Sequence, residues 1–207
     1  ELGKKVNEYI VSWRKDRISK YNVNILCEVY KKDTYIIDAK CSRFGSGEAK
    51  GTINESIRGK DLYLIVDVTN YNITYKLCGH INRMSPDDHY QDLKRIIAAA
   101  SGKARRVNVI MPFLYESRQH KRTARESLDC ALALQELKNM GVDNIITFDA
   151  HDPRVQNATP MSGFESIQPN YQFIKALLNS VDDLIVYSEH MMIISPDEGA
   201  MTRAVYY

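Results

Sequence analysis

Three short clusters hold the residues of this chain best suited to chemistry. In the first, Arg118, His120, Lys121 and Arg122 put a side chain able to carry positive charge at four of five consecutive positions. In the second, Asp149-Ala150-His151 sets a carboxylate and an imidazole on either side of one small residue. The third is Ser195-Pro196-Asp197-Glu198-Gly199. A planar guanidinium matches the oxygens of a polyphosphate, and neighbouring cations add charge. Mg²⁺ prefers carboxylate oxygen and keeps most of its waters, so Asp197 with His151 or Asp149 beside it would be enough to hold one. Cations and a hard divalent ion are what phosphoryl-type transfer requires. Each cluster also has a plainer reading taken alone: a solvated cationic loop, a structural Asp-x-His, and an Asp that caps the next helix.

Elements of the right kind precede each cluster. Val107–Met111 is a short β-branched apolar run, the composition of a buried strand, and Pro112 ends its ladder. Residues 144–148 read as a second buried strand, 191–195 as a third and 62–67 as a fourth. Helices are expected between them. One starts at the N-capping Ser85-Pro-Asp-Asp88 and runs to about Ser101; a second spans about 127–140 and stops at Gly141; a third spans 169–180. Strands alternating with helices mean βαβ units, hence an α/β fold with a parallel sheet flanked by helices. In such a sheet the strand tips share one edge, where ligands bind. Towards the N-terminus, residues 2–17 have the spacing of an amphipathic helix. Residues 23–30 and 34–37 suggest a hairpin, 44–48 a glycine-bearing turn, and the Asn-rich 69–85 an irregular connection.

The totals narrow the function classes. A net charge of +2 is too small for bulk attraction to nucleic acid or an anionic membrane, although the 118–125 loop keeps a phosphate-sensing or nucleic-acid-binding domain as a competing reading. No apolar run approaches the ~20 residues that span a bilayer. Cys27, Cys41, Cys78 and Cys130 are widely separated, so a reducing, cytoplasmic setting is expected over a zinc site or a disulfide framework. The chain begins at Glu1 and both ends look cut, as in a fragment.

Five motifs in order resemble the ribose-phosphate diphosphokinase (PRPP synthetase) family. They are Phe44-Gly-Ser-Gly-Glu48, Glu55-Ser-Ile-Arg-Gly59, Tyr115-Glu-Ser-Arg118-Gln119-His-Lys121-Arg122, the run Ile145 to His151 with Gln156, and Ser195-Pro-Asp197-Glu-Gly199 with Arg203-Ala204. The resemblance implies a phosphoribosyltransferase-like fold, with residues 1–187 as the family's amino-terminal domain and 188–207 as the start of a truncated second one. It implies transfer of the diphosphoryl group of ATP to ribose 5-phosphate, giving PRPP and AMP, with Mg²⁺. Arg118, Gln119, Phe44 and Glu48 would bind ATP, the last two from a neighbouring subunit of a dimer or hexamer. His151 and Lys121 would be catalytic, His151 and Asp197 would contact the metal, and Ser56 and Arg58 would hold a regulatory phosphate. Neither nucleic acid nor a membrane is an implied partner. The family usually has Asp or Asn where this chain has Ser46, and Asp where it has His120. Its ribose 5-phosphate loop and Lys/Arg flap lie beyond the position of Tyr207. The full-length parent would therefore be the enzyme and this fragment alone inactive. A non-catalytic regulatory paralogue that associates with PRPP synthetase is the alternative.

Overall fold

The computed structural model of the protein describes residues 2–21 and 32–207. The first helix, α1 (Leu2–Tyr21), buries Val11 and Arg14. Along it lies an extended segment in which the Tyr35 amide donates to Asn7 Oδ1 (2.7 Å) and the Tyr35 hydroxyl accepts from Arg14 (2.9 Å). Of the hairpin expected over 23–37, residues 34–37 bond to a helix side chain and join no ladder among the described residues. Its first arm, 23–30, lies outside the described residues.

Next come β1 (Ala39–Arg43) and β2 (Ala49–Ile53), an antiparallel pair closed by the expected turn, where Gly47 adopts φ 90°. After β3 (Asp61–Ile65), the region 69–85 is not irregular throughout. It contains a second hairpin, β4 (Thr74–Leu77) and β5 (His80–Arg83), joined at Cys78 and Gly79. Both turn residues have positive φ, 48° and 86°, the geometry that matches the twist of a two-residue hairpin. The hairpin packs on the Phe44–Glu48 turn, with Arg43 4.8 Å over the Tyr75 ring and the Cys78 amide donating to Gly45 O.

Helix α2 (Pro86–Ala100) follows the sequence signals closely. Ser85 and Asp88 form a reciprocal capping box, Pro86 takes the first turn, and Tyr90, Leu93, Ile97 and Ala100 face the core. Asp92 on this helix pairs with Arg43 at 2.9 Å and with Arg95 at 2.6 Å, tying the first hairpin down. The chain then runs through β6 (Arg106–Met111), α3 (Asp129–Asn139), β7 (Asn144–Phe148), a 3-10 turn over Pro153–Ala158, β8 (Gly163–Ile167) and α4 (Asn170–Ser180). A last short helix, α5 (Met201–Ala204), follows a 3-10 turn at Glu198–Ala200.

The four-stranded sheet has the order β3-β6-β7-β8 and is parallel throughout. The expected α/β architecture is therefore what the chain adopts. Val109, Met111, Cys130, Leu134, Leu137 and Ile145 are essentially inaccessible and form the core between sheet and helices. Burial pushes the Cys130 thiol up to about 11, so it stays protonated and behaves as a small apolar group. Two strand expectations are corrected. Residues 191–195 join no ladder among the described residues, and Met192 and Ile194 are 81% and 76% exposed. The fourth strand is instead β8, in a stretch expected to be loop; alternate residues Phe164 and Ser166 turn inward. No helix among the described residues is long and apolar enough to cross a membrane.

Candidate functional site at the tips of β6 and β7

The register of β6 and β7 brings two of the three clusters together. Met111 pairs with Thr147, and one step on, the Phe148 amide donates to Pro112 O. Beyond Pro112 the loop is held from below. Leu114 and Ser117 are buried, and the Tyr115 ring stacks on Tyr90 at 4.3 Å and 9°. The Tyr115 hydroxyl donates to Asp87 at 2.6 Å. Desolvation and that acceptor hold the Tyr115 phenol well above its ordinary range, so it stays a donor. Burial, together with Asp129 and Asp87, also raises the Glu116 carboxyl. Glu116 itself sits at φ 57°, a tight left-handed step that turns the chain towards Arg118.

At the tip of β7, Asp149 adopts φ 42°, and its amide donates to Ile167 O of β8. Arg203 Nε lies 2.8 and 2.6 Å from the two Asp149 oxygens, and its Nη2 donates to the Ala150 and His151 carbonyls. Asp152 is buried and caps the 3-10 turn; Arg154 binds both its oxygens and holds its carboxyl well below the usual carboxylate range.

Between the two tips lies a cleft of about 180 Å³, lined by Arg118, Asp149, His151 and Arg203 together with Phe113 and Phe148. The Arg118 guanidinium is exposed and makes no hydrogen bond or ion pair among the described residues. A larger hollow of about 380 Å³ at the end of α3 has Lys138 as its one charged side chain.

Other residues singled out in the sequence are placed as follows. Gln119 donates to Ser127 O at 2.6 Å and closes the basic loop on itself. Lys121 and Arg122 are exposed on that loop. Phe44, 56% exposed, and Glu48 sit on the turn between β1 and β2 and do not line the cleft. Ser56 and Arg58 are exposed on either side of buried Ile57. Asp197 Oδ1 accepts from the Ala200 amide at 2.8 Å, as the plainer helix-capping reading had it, and Asp197 is not among the residues around the cleft.

Three or more metal-donor side chains do not gather anywhere among the described residues. Asp149 and Asp152 are taken up by arginines, which leaves the His151 imidazole and the second Asp197 oxygen as donors. With Asp197 outside the cleft lining, the single imidazole at the cleft suits an ion that keeps its waters and is carried mainly by phosphate oxygens, and does not suit a protein-built cage. Two interactions had no counterpart in the sequence reading. One is the grip of Arg203 on Asp149, signalled only by the Arg203-Ala204 pair. The other is the contact of His120 with Asp152, which joins residues distant in sequence and has no local sign.

Comparisons with known proteins place the chain in a family and a fold. The profile of a family described as the N-terminal domain of ribose phosphate pyrophosphokinase matches residues 1–141. The chain is 29% identical over 175 residues to a ribose-phosphate pyrophosphokinase of Oceanobacillus iheyensis, covering 80% of this chain and 47% of that one. It is 28% identical over 171 residues to that of Bacillus caldolyticus, with the same coverage, 80% and 47%. The chain thus spans about half the length of the curated relatives it matches. In fold it is similar to the crystal structure of phosphoribosylpyrophosphate synthetase from Mycobacterium smegmatis, with a TM-score of 0.67 at 20% identity over 94% of this chain and 56% of that one. On the family profile, which covers well over half of its residues, the chain belongs to the ribose-phosphate pyrophosphokinase family.

Proposed function

We propose that the chain carries the ATP-binding part of a ribose-phosphate diphosphokinase. In that reaction the C1 hydroxyl oxygen of ribose 5-phosphate bonds to the β-phosphorus of ATP, the bond from that phosphorus to the α-phosphate oxygen breaks, and PRPP and AMP leave. One observation carries the reading: Arg118, without a hydrogen-bond or ion-pair partner among the described residues, shares a cleft with His151 at adjacent strand tips. A free guanidinium in a concave polar site matches polyphosphate oxygens in number and geometry. Phosphoryl transfer depends almost wholly on such positioning and charge stabilisation.

Arg118 is then the fork that binds the phosphates. Lys121, on the same loop, supplies positive charge where charge develops, and His151 orients the phosphate chain from the other tip. Gln119 contributes by shaping the loop. His151 and Asp197 would be the protein contacts of a Mg²⁺ ion carried by ATP, which would supply neutralisation of phosphate charge. Phe44, exposed on a braced turn, offers an aromatic face for a purine, and Glu48 a hydrogen bond to the nucleoside, across to a neighbouring copy in an oligomer. Ser56 and Arg58 remain the place for a regulatory phosphate. The division at 187/188 into two domains belongs to the same proposal.

The test is the full-length parent assayed for AMP release with ATP, Mg²⁺ and ribose 5-phosphate. Arg118→Ala is expected to lower kcat/KM for ATP by ~10²–10³-fold, the usual cost of one preorganised charge-stabilising donor. The KM for ribose 5-phosphate should change little. Unaltered ATP kinetics would contradict the assignment. A wild-type parent that binds ATP and releases no AMP would favour the regulatory paralogue.

A further inference from the structure

His120 occupies a position that neither the motifs nor the proposed chemistry accounts for. Its side chain is 12% exposed although it stands in an otherwise exposed basic loop. One ring nitrogen, Nδ1, lies 3.1 Å from the Arg118 carbonyl oxygen, on its own loop. The other, Nε2, lies 3.4 Å from Asp152 Oδ2, beyond the tip of the neighbouring strand. The ring also sits against His151, centroids 5.1 Å apart and planes at 58°. Asp152 is a fixed anchor, because it is buried, caps the 3-10 turn and is held by Arg154. One imidazole thus touches the residue that carries the free guanidinium, the imidazole across the cleft, and a rigid point behind that imidazole.

We propose that His120 is a positioning residue that fastens the basic loop to the tip of β7, so that Arg118 and His151 face the same phosphate chain. Without the fastening, Arg118 sits on a loop whose further residues, 121–127, are all exposed, and among the described residues its guanidinium has no hydrogen bond or ion pair of its own to hold it. The loss on freeing the loop is entropic: Arg118 would have to be ordered by each incoming ligand. The inference rests on the reading of the cleft as a polyphosphate seat.

The experiment is a double-mutant cycle on binding of a non-hydrolysable ATP analogue with Mg²⁺, measured by calorimetry on the full-length protein. If His120 acts through Arg118, His120→Ala weakens binding ~10-fold in the wild-type background and less than ~2-fold when Arg118 is already Ala, since residues that act as a unit are not additive. His120→Gln, whose amide can still reach Asp152, should recover most of the loss, which a general disturbance of the fold would not allow. An equal fold-loss in both backgrounds, or no loss in the wild type, overturns the proposal, and so does a His120→Gln variant as weak as His120→Ala. Failure of the underlying reading is separately visible: Arg118→Ala alone would then leave affinity unchanged.

Discussion

Two stretches of this chain read alike in sequence and fold differently. Val107–Met111 and Met191–Ser195 are both short apolar runs that end at Pro followed by candidate site residues. The first is a central strand with neighbours on both sides, and Val109 and Met111 are wholly covered. The second joins no ladder among the described residues, and its hydrophobic side chains lie largely exposed. The difference shows what positions a side chain at a strand tip in this fold. The β6 and β7 tips are aimed by a ladder and by the buried Leu114, Ser117, Asp152 and Val155 beneath them. The segment 195–204 is aimed from its far end, through the pairing of Arg203 with Asp149.

Truncation of side chains puts a scale on this contrast. Leu137→Ala, under the sheet, is expected to cost ~2–5 kcal/mol of stability, while Ile194→Ala should stay within ~0.5 kcal/mol, since the first leaves a cavity and the second loses only exposed surface. Urea denaturation of both variants measures it, and equal costs would break the comparison. Arg203→Ala should cost less than the core change, ~1 kcal/mol, because the pair is about one-third exposed and solvent screens it. Its signature would be faster proteolysis within 195–204 and unchanged protection of β6. Loss of protection in β6 would mean that the two regions are not independent.

The smallest effect lies at the opposite edge of the sheet, where Asp61 is bound by Arg105 and Arg106. The Arg105 hydrogen bond leads in holding the Asp61 carboxyl down to about 2. Its folded value is below the unfolded value of ~3.9, so its contribution is complete above about pH 4 and is lost as pH falls towards 2. Asp61→Asn should flatten that limb of the stability profile and leave the neutral range nearly unchanged. A variant with the same acid limb as the wild type would contradict this.

Much of the frame is legible in the sequence because its signals are local. Ser85 and Asp88 announce α2, Gly141 (φ 89°) closes the α3 turn, and the β-branched runs of β6 and β7 allow little else. What escapes reading depends on partners distant in sequence. Gly163–Ile167 contains Gly, Glu and Ser and becomes a strand because β7 offers it a ladder. The hairpin β4–β5 lacks the usual Asn-Gly or Asp-Gly turn and is stabilised by packing on the 44–48 turn. Of the site, the types and spacing of Arg118 and His151 were readable, whereas the engagement of Asp149 by Arg203 and of Asp152 by Arg154 and His120 needed three dimensions.

The most direct measurement is a crystal structure of the protein with Mg²⁺ and a non-hydrolysable ATP analogue. The phosphate chain is expected between the Arg118 guanidinium and the His151 imidazole, with His120 still on Asp152. An analogue bound elsewhere, with this cleft holding only solvent, would contradict it.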